Sequence, residues 1–236
     1  MMMELCSSAL KGIKTLVFPP ICIACNRRGD YVCQNCLQQW GRPPVRIKSH
    51  PIELVTVLPY NDYSSRVVLA AKEDGNKSAQ RLIAQSLASG IQMISADRTS
   101  RITVVPIPSR PRNVRRRGEK FLIPIVLIAN QRLSEQSALH SVKIPKMEMR
   151  ELLVQGRSVK EQSGLSMKDR QKNMEGALEL DTKVLRNWRE SPVIIVDDVI
   201  TTGSTMVTAF DALRRAKITV LGGVSACATS ARMRIP

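Results

Sequence analysis

Two adjacent acids follow a run of apolar, mostly β-branched residues in the segment VIIVDDVITTGST, residues 193–205. Unpaired carboxylates are costly to bury, so Asp197 and Asp198 either lie at an exposed strand end or meet a polar or cationic group. The turn behind them is small and rich in hydroxyl groups, and it leads into a stretch with helical spacing. A helix N-terminus offers free N–H groups and partial positive charge. The turn is therefore predicted to bind a phosphate.

The two carboxylates would then face whatever is attached to that phosphate. A carboxylate can accept hydrogen bonds from both O–H groups of a diol, so a ribose suits this arrangement. The candidate binding residues of the segment are Asp197, Asp198, Thr201, Thr202, Gly203, Ser204 and Thr205. The segment has neither the Gly-x4-Gly-Lys-Ser/Thr nor the Gly-x-Gly-x2-Gly pattern. Because two like charges stand side by side, neutralising both is expected to change stability little or to raise it.

Four of the six cysteines form the pattern CIACNRRGDYVCQNC. Each Cys-x2-Cys pair places two thiolates on one turn, and two such turns supply the four sulfurs of a tetrahedral zinc site. Two disulfides are the alternative, which a cytoplasmic chain would not keep, and a redox pair would leave the second pair unexplained. We predict a structural Zn2+ held by Cys22, Cys25, Cys33 and Cys36. The solitary Cys6 and Cys227 are interpreted as small buried side chains.

The chain has 236 residues and a formal net charge of +16. Its hydrophobic fraction of 43% is that of a globular protein, while aromatic residues make up only 3%, so Val, Ile, Leu, Ala and Met must build the core. The basic balance favours phosphorylated or polyanionic partners, and a basic surface that is merely solvated is the alternative. No stretch is long and apolar enough for a membrane span, and the N-terminus lacks the pattern of a secretory signal. We expect a cytoplasmic protein.

Short apolar strands alternate with amphipathic stretches, which predicts a mostly parallel sheet covered on both faces. The strand predictions are residues 101–108, 191–200 and a last strand from 217. The helix predictions are residues 78–94, 119–133 and 204–216, the last with Ser204 as N-cap. The Pro-rich, basic stretch GRPPVRIKSHP is predicted to be a linker. We thus divide the chain into a four-cysteine module with an N-terminal helix at 1–41, a linker at 42–51 and a larger domain at 52–236.

The strand, the acid pair and the Thr-Thr-Gly-Ser-Thr turn closely resemble the phosphoribosyl-diphosphate signature of type I phosphoribosyltransferases. The resemblance implies an α/β type I phosphoribosyltransferase fold behind the zinc module. It also implies binding of phosphoribosyl diphosphate with Mg2+, and loss of pyrophosphate as an acceptor attacks C1 of the ribose. The sequence does not identify that acceptor.

The order of further motifs is similar to that of ComF-type proteins (competence protein ComF and GntX). These motifs are the four-cysteine pattern, AAKEDGNKSAQRLIAQSL, VVPIPSRPRNVRRRG and RSVKEQSGLSMKDRQKNMEGAL. The resemblance implies that Ser109 and Arg110 belong to a pyrophosphate loop. It also implies that residues 156–173 form a mobile hood, in which Arg157, Gln162, Arg170 and Asn173 match the family pattern. Arg157 and Arg170 are the catalytic candidates of this hood.

The resemblance leaves two functions open. The first is a phosphoribosyltransferase acting on an unidentified acceptor. The second is a non-catalytic DNA-uptake factor that works with the uptake machinery, binds single-stranded DNA and uses the pocket as a ligand sensor. The basic run RPRNVRRR, residues 110–117, directly follows the pyrophosphate loop, so Arg110 and Arg112 are interpreted as anion-binding residues. Arg115, Arg116 and Arg117 are the candidate contacts to DNA phosphates, with a merely solvated face as the alternative. Aromatic residues for base stacking are not interleaved with it, so such binding would be indifferent to sequence.

Overall fold

The computed structural model describes residues 19–47, 51–96, 101–140, 144–156 and 178–229. The strands of the described chain are β1 (Val45–Ile47), β2 (Leu54–Tyr60), β3 (Arg101–Pro106), β4 (Lys146–Met149), β5 (Leu153–Gln155), β6 (Leu178–Leu180), β7 (Val193–Ile200) and β8 (Val220–Thr229). Its helices are α1 (Gln34–Trp40), α2 (Asp62–Glu73), α3 (Lys77–Ser95), α4 (Pro111–Arg117), α5 (Leu122–His140), α6 (Thr182–Arg186) and α7 (Ser204–Arg215).

Six strands form the central sheet in the order β1-β2-β8-β7-β3-β4. The strand β1 runs antiparallel to β2, and the other neighbouring strands are parallel. The short strands β5 and β6 pair with each other in a separate two-stranded sheet. Residues 193–196 of the central β7 are fully buried, as expected of a parallel sheet covered on both faces. The predicted mixed α/β fold with a mostly parallel sheet is confirmed.

Helices cover the sheet on two sides, as neighbouring residues of β8 demonstrate. Val224 faces α3, where a Cβ added to Gly90 would overlap its side chain. The next position faces the other way, and a Cβ added to Gly223 would lie 3.1 Å from Met206 Sδ of α7. Since successive strand residues point to opposite faces, α3 and α7 lie on opposite faces of the sheet. The absence of a side chain at Gly90 lets α3 approach the sheet closely.

The predicted elements are found with small shifts at their ends. Helix α3 extends its predicted range by one residue at each end, and strand β7 lies within its predicted range. Helix α5 begins later and runs further than predicted. The prediction of Ser204 as N-cap is wrong: Ser204 is the first residue of α7, and Gly203 precedes it with φ +79°. This left-handed conformation suits glycine. The segment predicted as a linker contains β1, whose residues 45–47 pair with β2.

The four-cysteine module packs on the larger α/β unit. Cys22, Cys36 and Trp40 are fully buried and belong to one apolar core together with residues of α3 and β2. The predicted burial of Cys227 is confirmed, whereas Cys6 and the predicted N-terminal helix lie outside the described residues. Among the helices of the described ranges, none has the length and apolar character needed to cross a membrane.

Candidate functional site

The sheet reverses its winding between β3 and β7. These strands are parallel neighbours, but the chain continues from β3 towards β4 on one side and from β7 towards β8 on the other. Ligands of open α/β sheets bind at such a switch point, outside the carboxyl ends of the strands. Two loops meet there, residues 107–110 after β3 and residues 201–203 after β7. The amide of Ile107 donates a hydrogen bond to Val196 O at 2.9 Å, so the first loop runs beside the acid pair.

The acid pair lies in the C-terminal half of β7, the half that leads into the turn at residues 201–203. Asp197 is half-buried and Asp198 is only 7% exposed. The cation that the sequence left unidentified is Lys72 of α2, whose Nζ lies 2.8 Å from Asp198 Oδ2. Burial raises the pKa of Asp197 well above its ordinary value, and the neighbouring Asp198 carboxylate and a hydrogen bond to it add to this effect. The amide of Asp198 donates to Asp197 Oδ1 at 2.9 Å, which opposes the shift.

The turn behind the acids exposes its hydroxyl groups. Thr201, Thr202 and Thr205 are exposed, and Ser204 is half-buried. The hydroxyls of Thr202 and Ser204 lie 2.8 Å apart, and the amide of Ser204 donates to Thr202 Oγ1 at 3.3 Å. The N-cap residue of α7 is Gly203, which has no side chain to cap the helix. The turn therefore offers hydroxyl donors and a helix N-terminus at the same place, as a phosphate requires.

The loop after β3 contains Ser109, which is half-buried, and Arg110, which is exposed and directly precedes α4. Gln155 of β5 fixes this loop by donating from Nε2 to Pro108 O at 2.6 Å. The structure thus brings Ser109 and Arg110 to the sheet edge that carries the acid pair. The hood candidates Arg157, Gln162, Arg170 and Asn173 lie outside the described residues.

Sequence reasoning missed a cluster of side chains that covers Asp198. The Nζ of Lys72 lies 5.3 Å from the ring centroid of Phe121, which is 3% exposed. The guanidinium of Arg117 lies 5.9 Å from the same centroid. Glu73 then pairs with Arg117 at 3.0 Å and with Arg116 at 2.6 Å. The only sequence signal was that Lys72 and Glu73 fall in the stretch AAKEDGNKSAQRLIAQSL, and their spacing to the acids gave no hint of contact.

These pairs change the interpretation of the basic run. The side chain of Arg117 is only 9% exposed, and it and Arg116 are bound to Glu73. Two of the three arginines predicted to contact DNA phosphates thus already pair with an acid of the protein, although the Arg116 side chain is still 61% exposed. Arg110, Arg112 and Arg115 are exposed as well, and with Arg116 they form the solvent-facing part of the run.

The four cysteines of the module come together as their spacing predicts. Their Sγ atoms all lie within 4.8 Å of one another, and those of Cys25 and Cys33 are 3.7 Å apart. A tetrahedral site with Zn–S bonds of about 2.3 Å has sulfur atoms about 3.8 Å apart, whereas a disulfide needs about 2.05 Å. The donor set and its geometry therefore fit a tetrahedral metal ion such as Zn2+. Within the described ranges, this is the one group of three or more ligand side chains so arranged.

Hydrogen bonds prepare this cluster for a cation. Burial opposes ionisation of the Cys22 thiol, but backbone amides led by those of Cys33 and Cys25 outweigh it and lower its pKa to about 6. The amide of Cys33 lies 3.4 Å from Cys22 Sγ. Burial and the neighbouring thiols raise the pKa of Cys36. Bringing all four sulfurs to the thiolate form thus requires a positive charge among them.

The fold and its two loops are those of an α/β protein that binds its ligand at the carboxyl edge of a parallel sheet. Within that class, residues 131–234 match the family model for the phosphoribosyl transferase domain. The matched range includes the acid pair and the turn at 201–205. It does not include the four cysteines, Lys72 or the loop at 107–110.

Two solved structures illustrate what the chain is similar to. Orotate phosphoribosyltransferase from Aeropyrum pernix is 15% identical, with a TM-score of 0.34 over 80% of this chain and 77% of that one. Adenine phosphoribosyl transferase from Trypanosoma brucei, solved with AMP, pyrophosphate and ribose-5-phosphate, is 11% identical. Its TM-score is 0.37 over 84% of this chain and 83% of that one. The search of curated proteins gave no match.

Proposed function

We propose that the protein binds phosphoribosyl diphosphate with Mg2+ and transfers its phosphoribosyl group to an acceptor that remains to be identified. The observation that carries this proposal is the meeting of three features at one edge of the sheet. They are the acid pair of β7, the N-terminus of α7 and the loop at 107–110. The match of residues 131–234 to the phosphoribosyl transferase domain supports it.

Each part of the ligand has a counterpart in this arrangement. The 5-phosphate would bind the amides and hydroxyls of residues 201–205, and the ribose hydroxyls would donate to Asp197 and Asp198. The pyrophosphate would lie towards Ser109 and Arg110. Carboxylate oxygens suit Mg2+, which would supply charge neutralisation of the departing pyrophosphate. Arg157 and Arg170 are proposed to help stabilise that charge.

The order of motifs along the chain supports placing the protein among ComF-type proteins, and this brings in the second candidate function. A DNA-uptake factor that binds single-stranded DNA is favoured by one observation, the exposure of Arg110, Arg112 and Arg115 beside the candidate site. In that function the same pocket would sense a sugar phosphate without transferring it. The two functions share the pocket and differ in turnover.

Calorimetric titration with phosphoribosyl diphosphate and Mg2+ tests the binding. The wild-type protein is expected to bind, and Asp197→Asn combined with Asp198→Asn is expected to abolish binding. A control with the same loss of charge is Asp62→Asn combined with Asp211→Asn, whose acids lie on α2 and α7 away from the proposed contacts. Absence of binding to the wild-type protein, or unchanged affinity in the acid-pair variant, would reject the proposal. Pyrophosphate release on addition of nitrogenous bases then separates a transferase from a sensor.

A further inference from the structure

The side chain of Lys72 crosses from one sheet-covering helix to the candidate sugar site. It belongs to the last turn of α2, and its ammonium lies 2.8 Å from Asp198 Oδ2 across 126 residues of sequence. Asp198 is buried, and the Lys72 side chain is 30% exposed. Pairing in a partly desolvated place is stronger than at an open surface. Phe121 lies against the ammonium and limits the access of water to it.

The two acids are therefore not equivalent. Asp198 has a lysine partner, while Asp197 accepts a hydrogen bond from the backbone amide of Asp198. The charged or titratable groups that act on the pair from neighbouring elements are Lys72 of α2 and the buried Cys227 of β8. Burial raises the pKa of that thiol to about 12, with the Asp198 charge adding to the rise and a hydrogen bond with Ser64 opposing it, so Cys227 stays neutral. Lys72 is thus the cation that acts on these acids among the described residues.

We propose that Lys72 is a positioning residue of the sugar site, which holds the Asp198 carboxylate in place and places a positive charge beside the acid pair, so that the pair can receive a ribose diol. The inference rests on the proposed function. An ionised carboxylate accepts hydrogen bonds from hydroxyl groups, whereas a protonated one has lost part of that capacity. Two adjacent carboxylates in a partly desolvated place take up a proton more readily. Lys72 counters this and moves the working range of the site down in pH.

The sign of the effect follows from the charge. The Lys72 ammonium lowers the pKa of Asp197 against the larger influence of burial. Without it, protonation of the pair extends to higher pH, and affinity for the diol is lost over a wider range. A shift of one unit in the midpoint corresponds to a tenfold loss of affinity at a pH below both midpoints. We expect the midpoint pH for diol binding to rise by about one unit when the Lys72 ammonium is removed.

The test uses two ligands in a buffer that contains neither Mg2+ nor a chelator, so that no added divalent metal competes with Lys72 and the cysteine cluster keeps its metal. Ribose 5-phosphate carries the diol, and 2-deoxyribose 5-phosphate lacks one hydroxyl. Their phosphate groups titrate alike, near pH 6, so the ratio of the two affinities reports the acids alone. The ratio is measured from pH 5 to 9 for wild-type protein, Lys72→Met and Lys72→Arg. Lys120→Met is the control, because Lys120 also pairs with an acid, Glu151, but at an exposed position.

The measured quantity is the pH at which the affinity ratio reaches half of its maximum. We expect this midpoint pH to rise by about one unit in Lys72→Met and to stay at the wild-type value in Lys72→Arg and Lys120→Met. A ratio lowered equally at every pH would mean that Lys72 only supports the fold, and it would overturn the inference. An unchanged ratio would also overturn the inference. Tighter binding in Lys72→Met when Mg2+ is added would overturn it as well, because Lys72 would then merely occupy the position of a cation. Should Lys72→Met fail to fold, Lys72→Gln gives the same readings. A wild-type ratio of one at every pH would instead reject the sugar site itself.

Discussion

Ser86 Oγ donates a hydrogen bond to the carbonyl oxygen of Trp40 at 3.0 Å, joining α3 to the end of the cysteine module. Both residues are fully buried. Tyr63 of α2 also reaches the module, with its hydroxyl donating to Cys36 O at 3.4 Å. The Pro-rich segment suggests separate cores that unfold independently. These contacts instead predict that the module and the sheet stabilise each other.

Metal removal is therefore expected to destabilise the whole chain and not only the module. Stripping the ion should lower the free energy of unfolding by about 3 kcal/mol or more, because the binding energy of a structural metal is also folding energy. For a chain of this size, this corresponds to a decrease in Tm of about 6–12 °C. Calorimetric unfolding with and without chelator measures it. A second transition at the unchanged original Tm would show that the two parts are independent.

The cysteine cluster should hold one zinc ion per chain. Protein purified without chelator is expected to contain about one equivalent by metal analysis, bound through Cys22, Cys25, Cys33 and Cys36 with Zn–S distances near 2.3 Å. Cys25→Ser should lower the bound metal, since one of four thiolates is lost. Cys227→Ala is the matched control, because this cysteine is buried in β8 outside the cluster. Four freely titratable thiols and no metal would contradict the assignment.

The two acids should differ in their effect on stability, although their sequence positions suggest that they act alike. Asp198→Asn leaves the Lys72 ammonium without its partner. Exposed pairs are worth about 0.2–1 kcal/mol, while breaking a buried pair costs about 3–5 kcal/mol, so we expect a loss of about 2 kcal/mol for this partly buried one. Asp197→Asn should be neutral or stabilising at pH 8, since it removes a carboxylate whose charge burial disfavours. Urea unfolding of both variants measures the difference, and equal losses would contradict it.

The raised pKa of Asp197 also predicts how stability varies with pH. Above the ordinary carboxyl pKa of about 3.9, the unfolded chain gives up the proton that the folded chain still holds. Stability should therefore fall as pH rises from there towards the raised pKa, and level off above it. Asp197→Asn should lose this part of the slope. Urea unfolding at intervals from pH 4 to 9 tests it, and an identical slope in both proteins would contradict the prediction.

The exposed arginines test the DNA-binding alternative. Each phosphate contact on a single strand contributes about −0.7 to the slope of log affinity against log salt. Changing Arg110, Arg112 and Arg115 together to Ala should therefore flatten that slope by about two units. Arg117→Ala should instead lower stability and leave the slope unchanged, because Arg117 is bound to Glu73 and only 9% exposed. Absence of DNA binding by the wild-type protein at low salt would end this alternative.

Local patterns in the sequence determined much of what the structure contains. The β-branched run before Asp197 predicts a buried parallel strand, and the small hydroxyl-rich turn predicts a helix N-terminus behind it. The spacing of the two Cys-x2-Cys pairs brings four sulfurs together because each pair is set by a single turn. These features depend on residues close in the chain, so composition and periodicity are sufficient to find them.

The tertiary structure decided what meets these local features from elsewhere. The pairing of Lys72 with Asp198, and the burial of Arg117 beside Phe121, depend on how α2 and the segment after β3 pack at the sheet edge. Sequence separation of 126 residues between Lys72 and Asp198 leaves no periodic signal, since the contact arises from the order of strands. A basic run therefore looked uniformly solvent-facing, and an acid pair looked symmetric. Packing gave each of these charges its own environment.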